Sequence, residues 1–428
     1  MKFIFTLLFI SQLLYSNVID LVKRENNDSN TTLLVIGGIH GNEPGGYFAP
    51  AILISHYKIL SKNVWIIPNL NKASIMAYKR GVNGDMNRKF ATIRKNDKDK
   101  EIVQEIKKTI LNPKVSLILN LHDGHGFYRR NYDSTVFNPN AWGQTCVIDQ
   151  CKLETTKEFG ELDKIASRVA KHVNSKLLHK KHQFDVRNTK TKFDDEAMQL
   201  SLTYFAVTHN KPAFAIETSK NLSSVSQKVY YQLLAIEEFM NIMGIKYKRD
   251  FNLTEKEIKQ ILKEYGKVTI NDNITFNLNG IKSYLSYIPL KSKGNEFKFS
   301  HPLGAVKKKK GVYTLYIGNK KIAWLKPQYF QLAKDCPESF KFEIDGKEIL
   351  VPKTAQIDTK KSFKVIPVDG LRVNIIGYYA KGHKNESGLK VTYNKLNKKF
   401  SIDKKEKTFR IEFYKDNKFC SMSTVHFK

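Results

Sequence analysis

Apolar residues in the first 245 positions gather into four short runs, each closed by a turn signal or a polar cluster. Leu33-Leu34-Val35-Ile36 stops at Gly37-Gly38 and Val64-Trp65-Ile66-Ile67 at Pro68. Val115-Ser116-Leu117-Ile118-Leu119 leads into Asn120-Leu121-His122, and Ala213-Phe214-Ala215-Ile216 leads into Glu217. Apolar runs of this length, with little alternation, mark strands covered on both faces. Between them the pattern predicts helices at roughly 44–58, 97–111, 157–178 and 222–243. Strands interleaved with helices predict an α/β domain whose mixed, mostly parallel sheet carries helices on both faces.

The texture changes near residue 250. A helix-like stretch at 254–265 precedes a predicted hairpin, in which Val312 to Ile317 and Ile322 to Leu325 flank Gly318-Asn319-Lys320-Lys321. Lys307 to Lys310 reads as a solvated turn. From about 338 onward, strand-like segments at 340–344, 348–351, 362–367, 371–378, 388–393 and 408–414 predict a small sandwich of immunoglobulin-like type. At 428 residues the chain exceeds what one hydrophobic core usually serves. It divides into an N-terminal segment (1–16), an α/β domain (17–248), a basic, mainly-β domain (249–336) and the terminal sandwich (337–428).

Charge refines this division. The chain carries 72 Lys and Arg against 41 Asp and Glu, a net +31. Residues 246–428 hold 39 basic and 18 acidic side chains, whereas the first 245 hold 33 and 23. A balance this basic points to a polyanionic partner. Met1-Lys2 followed by the apolar stretch Phe3 to Leu14 and small Ser16 reads as an export signal, too short to span a bilayer. Export predicts a periplasmic protein, with an uncleaved membrane anchor as the alternative because Leu14 is large for the position before a cleavage site, and directs the charge towards wall polymers or membrane faces and away from nucleic acid. An oxidising compartment also permits disulfides: Cys146 with Cys151 would close a short surface loop, and Cys336 and Cys420 make up the four. No catalytic work is expected of these thiols.

The ends of the apolar runs carry the chemistry. After the first run, His40-Gly41-Asn42-Glu43 sets an imidazole and a carboxylate three residues apart on a Gly-rich turn, and Pro44 is suited to open a helix. After the third run, His122 stands at the mouth of the sheet and is preferred as a ligand to His125. Two His and one carboxylate, with a fourth position left to water, form the ligand set of a catalytic zinc site. Asp123 is a candidate for orienting a ligand. Arg80, Asn87 and Arg88 lie in a turn-rich segment, Tyr78 to Phe90, and a guanidinium fork suits a terminal carboxylate. Glu217 ends an otherwise apolar strand, an expensive place for a carboxylate unless it is used, and is the candidate general base. Asp194, Asp195 and Glu196 are rivals without a strand end to fix them.

Taken as a set, H-x-x-E, Asp-Met-Asn-Arg-x-Phe, Leu-His at a strand end and Ile-Glu-Thr after a strand resemble the zinc carboxypeptidase A-like family over residues 30–245. The resemblance implies one Zn²⁺ held by His40, Glu43 and His122, a carboxylate clamp of Asn87 and Arg88, carbonyl polarisation by Arg80, and Glu217 as the base. No motif marks the family's substrate-capping tyrosine, for which Tyr204 is the candidate. The spacing of 79 residues from Glu43 to His122 is closer to compact relatives than to the digestive enzymes. The architecture, with His122 to Arg129, further resembles the cell-shape-determining murein peptide carboxypeptidases of helical and curved bacteria. Such enzymes trim tripeptide stems to dipeptides by removing meso-diaminopimelate. Muropeptides are then the expected substrate, and the β domains would meet other wall or shape proteins. The rival readings are a desuccinylase or aspartoacylase-like amidohydrolase and a non-catalytic wall-binding scaffold.

Overall fold

The computed structural model describes residues 18–26, 29–156 and 158–428, so the predicted export segment 1–16 lies outside it. Among these residues no helix is long and apolar enough to cross a membrane.

The four apolar runs become Thr32–Ile36, Asn63–Ile67, Val115–Gly124 and Ala213–Ser219, the central strands of a seven-stranded sheet. All three pairings among these four are parallel, and antiparallel strands flank them (Val22–Arg24 on one side, Thr145–Ile148 on the other). Their side chains are buried almost without exception, as strands covered on both faces require. Helices Pro44–His56, Lys100–Ile110, Leu162–Asn174 and Val225–Ile242 supply the covering layers. Each falls within a predicted segment and is shorter than it.

Helix Pro44–His56 comes unusually close to the sheet. A Cβ on Gly45 would lie 2.3 Å from Asp123 Oδ1, and one on Gly46 would lie 2.5 Å from the Leu121 carbonyl oxygen. Only glycine permits that approach, which brings the His40–Glu43 turn against the end of the central strand. Pro44 opens the helix, where its missing N–H costs nothing.

The β-rich part packs onto the back of this helix. Gly318, in the turn of the predicted hairpin, lies against Tyr47 and Phe48, and one continuous core runs from the α/β sheet to Leu325 and Met422. The hairpin is present as Val312–Ile317 and Lys320–Tyr329, so Lys320 and Lys321 are strand and not turn. Lys307, Lys308 and Lys309 likewise end strand Gly304–Lys309, and only Lys310 is in the turn. Exposed lysines suit an edge strand, because they discourage pairing with another chain.

The terminal region is a sandwich around its own core, with Phe340 and Phe413 stacked at 3.7 Å between centroids. It holds the long strand Lys418–Phe427, whose mixed composition gave no sequence signal. Ile274 pairs with Met422 across one register position, joining the middle and terminal strands in a shared sheet. A disulfide ties Cys336 to Cys420. The short loop Cys146–Cys151 is not closed. Cys146 points into the core from strand Thr145–Ile148, whereas Cys151 is exposed and accepts a hydrogen bond from Asn188 Nδ2.

Candidate active site

Parallel strands gather their carboxyl ends at one rim of the sheet, where α/β proteins place their ligands. His40 and Glu43 follow strand Thr32–Ile36, while His122 and Glu217 lie near the ends of the next two strands. In the register of those strands Glu217 stands directly opposite His122, and Ala215 opposite Asn120. Side chains two apart share a face, so Asn120, His122, Ala215 and Glu217 line one wall, and the His40–Glu43 turn stands beside them. They belong to a cavity of about 270 Å³, which Arg80, Asn87 and Arg88 also line. All seven sequence-predicted site residues therefore meet in one place. Asp194, Asp195, Glu196 and Tyr204 are not on its described wall.

His40 Nδ1 lies 3.1 Å from Glu43 Oε2, His122 Nδ1 lies 2.9 Å from the same oxygen, and the two ring nitrogens are 3.2 Å apart. All three side chains are buried. Four donors around zinc at bond lengths of 2.0–2.1 Å form a tetrahedron with edges of about 3.3 Å. The observed triangle is slightly tighter, and the three donors converge as one cation requires. The donor set thus fits a divalent metal.

His40 Nε2 bonds Asp85 Oδ1 at 2.8 Å, which leaves Nδ1 to face the cation. Sequence reasoning proposed Asp123 as the orienting carboxylate, and the structure gives that part to Asp85. Asp123 instead accepts the Gly45 N–H at the start of helix Pro44–His56 (2.9 Å) and the Thr218 hydroxyl (2.5 Å), pinning helix to sheet. Asp85 lay within the quoted Asp-Met-Asn-Arg segment, and its signal was an Asx cap: its carboxylate also accepts the Asn87 N–H. Lys220 was missed too. Its Nζ reaches Glu43 Oε1 at 3.2 Å, beside Arg80 Nη1 at 3.3 Å. Arg80 Nε also bonds Asp85 Oδ2 at 2.9 Å. Asn87 Oδ1 accepts the Leu202 N–H, which commits its carbonyl and leaves its Nδ2–H groups as donors.

Electrostatics sort the titratable groups. Burial opposes charge on His40, yet the carboxylates of Glu43 and Asp85 override it and push its pKa up to about 9. Burial likewise opposes the Glu43 carboxylate, but His40 and His122 hold it well below the usual range. Burial together with Glu43 pushes Glu217 up to about 8, and no hydrogen bond relieves it among the described residues. A cation beside it favours the ionised form.

The fold and this donor set define a metallocarboxypeptidase. Residues 1–263 match the family described as carboxypeptidase controlling helical cell shape, catalytic, and residues 333–428 match the C-terminal domain of metallo-carboxypeptidase. The apo form of the cell shape determinant protein Csd4 from Helicobacter pylori is 33% identical, covering 96% of this chain and 100% of that one, with a TM-score of 0.90. Tripeptide-bound Csd4 gives the same values. The mDAP-bound form, described as a D,L-carboxypeptidase, is 34% identical over 95% of this chain and 100% of that one, with a TM-score of 0.89. No curated protein sequence gives a significant match. This chain belongs to the family of carboxypeptidases controlling helical cell shape.

Two predictions arise from the site. Asp85→Ala frees the His40 ring and also removes the partner of Arg80 and the cap on the Asn87 N–H, so metal affinity should fall by about 10–100-fold and the metal-free chain should melt at a lower temperature, as a metal titration beside a thermal melt would show. The second concerns pH. Glu217, at about 8 against an ordinary 4.5, and His40, at about 9 against 6.5, bind protons more tightly folded than unfolded. Their contribution to stability is complete below the lower value of each pair and is lost as pH rises through the higher. The chelated chain should therefore melt at falling temperature between pH 6.5 and pH 9, and added zinc should flatten that decline. Equal slopes with and without metal would contradict it.

Proposed function

We propose that the chain is a zinc-dependent D,L-carboxypeptidase of the periplasm that removes meso-diaminopimelate from the tripeptide stems of murein and thereby influences cell shape. One observation carries the reading: a metal-ligand triad, an unpaired half-buried carboxylate and an arginine–asparagine clamp share a single cavity wall. The tripeptide-bound and mDAP-bound relatives support the substrate class. The basic, apolar start of the chain supports export. His40, Glu43 and His122 would hold the ion, and their nitrogen and carboxylate donors suit zinc.

A bound ion supplies Lewis-acid polarisation and acidifies a coordinated water. The Arg88 guanidinium and the Asn87 amide bind the terminal carboxylate, which restricts cleavage to the last residue. Arg80, half-exposed and paired with Glu43 and Asp85, directs its remaining N–H groups at the scissile carbonyl and stabilises the oxyanion. Glu217 takes a proton from the attacking water and delivers it to the leaving amine. Lys220 offsets the second oxygen of Glu43 and keeps that carboxylate ionised.

The test is incubation of the purified chain with muropeptides, with and without a chelator, followed by mass analysis. The expected result is loss of a diaminopimelate mass from tripeptides only when metal is present. Unchanged tripeptides with a fully metallated protein would overturn the reading.

A further inference from the structure

The middle region contains a four-stranded sheet in the order Tyr284–Leu290, Lys320–Tyr329, Val312–Ile317, Gly304–Lys309. One face is core, with Leu285, Leu315, Ala323 and Leu325 buried. The other face is open. Tyr284 is the register partner of Trp324, Trp324 of Thr314, and Thr314 of Lys307, so one row of side chains crosses all four strands on the side away from the core. Tyr284 is 51% exposed and Trp324 37%. Two positions further along their strands, Lys309 and Lys326 emerge on the same face as Lys307 and Trp324, and both are exposed. No strand of this sheet contains an acidic residue. Beside the row, the register slips between Leu285 and Ile288, and the bulge puts Tyr287 into solvent with its carbonyl held by Arg410 Nη1 at 3.1 Å.

Aromatic side chains at paired strand positions project from a stiff backbone on the same face and offer two apolar ring surfaces to one ligand. An exposed aromatic pair of this kind, rimmed by lysines on strands that carry no carboxylate, marks an interaction surface. Its two halves ask for a ligand with flat C–H faces and anionic groups set to one side. A lone polyanion needs no aromatic pair, and a folded acidic protein offers no repeat of stacking faces.

We propose that this face binds the glycan strand of murein, with pyranose rings stacked on Trp324 and Tyr284 and the stem-peptide carboxylates paired with Lys307, Lys309 and Lys326. The assignment rests on the murein reading above. Holding the strand from which the stems hang raises the effective concentration of stems at the cavity.

The test is co-sedimentation of the full chain with purified sacculi, with sacculi stripped of stem peptides by an amidase, and with single-stranded DNA as competitor, alongside cleavage of free tripeptide. The double variant Trp324→Ala, Tyr284→Ala should bind both sacculi about tenfold more weakly, a loss of the size that stacking contributes. Trp324→Phe should keep most of the binding, which separates loss of stacking from loss of fold. Lys307→Glu with Lys309→Glu should weaken binding to intact sacculi more than to stripped glycan. All variants should cleave free tripeptide like the parent. Binding of the aromatic double variant at parental strength would overturn the inference, as would binding displaced by DNA and sensitive to the lysines alone. If the parent itself leaves free tripeptide intact, the murein reading fails, and that result is distinct from any change in sedimentation.

Discussion

Three carboxylates, the buried Glu43 and Asp123 and the half-buried Glu217, converge on one cavity, and the active site is organised by how each negative charge is tolerated there. In a low-dielectric interior, like charges repel strongly and unpaired ions are costly. Glu43 is held ionised by two imidazoles, with Arg80 and Lys220 on its outer oxygen. Asp123 takes an amide N–H and a hydroxyl, and burial still pushes it up to about 6. Glu217 receives neither, and its preference for a proton follows. A divalent cation at the triad relieves the first and third of these at once. The same charge arrangement would thus suit a metal ion and place a proton acceptor beside it.

The fold secures this arrangement through backbone placement. Parallel register sets Glu217 opposite His122, and two glycines let helix Pro44–His56 close against the central strand. The β-rich half then braces that helix from behind, through Gly318 on Tyr47 and Phe48. The disulfide Cys336–Cys420 and the Ile274–Met422 pairing tie the terminal sandwich to the middle sheet. The cavity and the β-rich sheets therefore belong to one continuous body.

Much of the site was legible because its signals are local. Strands buried on both faces read as apolar runs, and Glu217 stood out as a carboxylate in such a run. The H-x-x-E turn was marked by its own glycines and by Pro44. What escaped depends on contacts distant in sequence. Asp85 lies 45 residues from His40 and Lys220 lies 177 from Glu43, so neither pairing leaves a periodic trace. The partner of Cys420 is 84 residues away, which made the nearby Cys146 and Cys151 look the easier pair. Strand Lys418–Phe427 mixes Ser, Thr and Cys into its pattern, and its place is set by strands on either side. Lys307 to Lys309 resembled a turn because an edge strand also tolerates charge on exposed positions.

The central claim is that one metal ion at His40, Glu43 and His122 works with Glu217 as the base. The most direct measurement is metal content and tripeptide turnover of Glu217→Gln, determined on one preparation beside the parent. The account predicts one zinc per chain in both proteins and a loss of turnover in the variant of at least about 10²-fold. Turnover near the parental rate, or a parent that is active without metal, would contradict it.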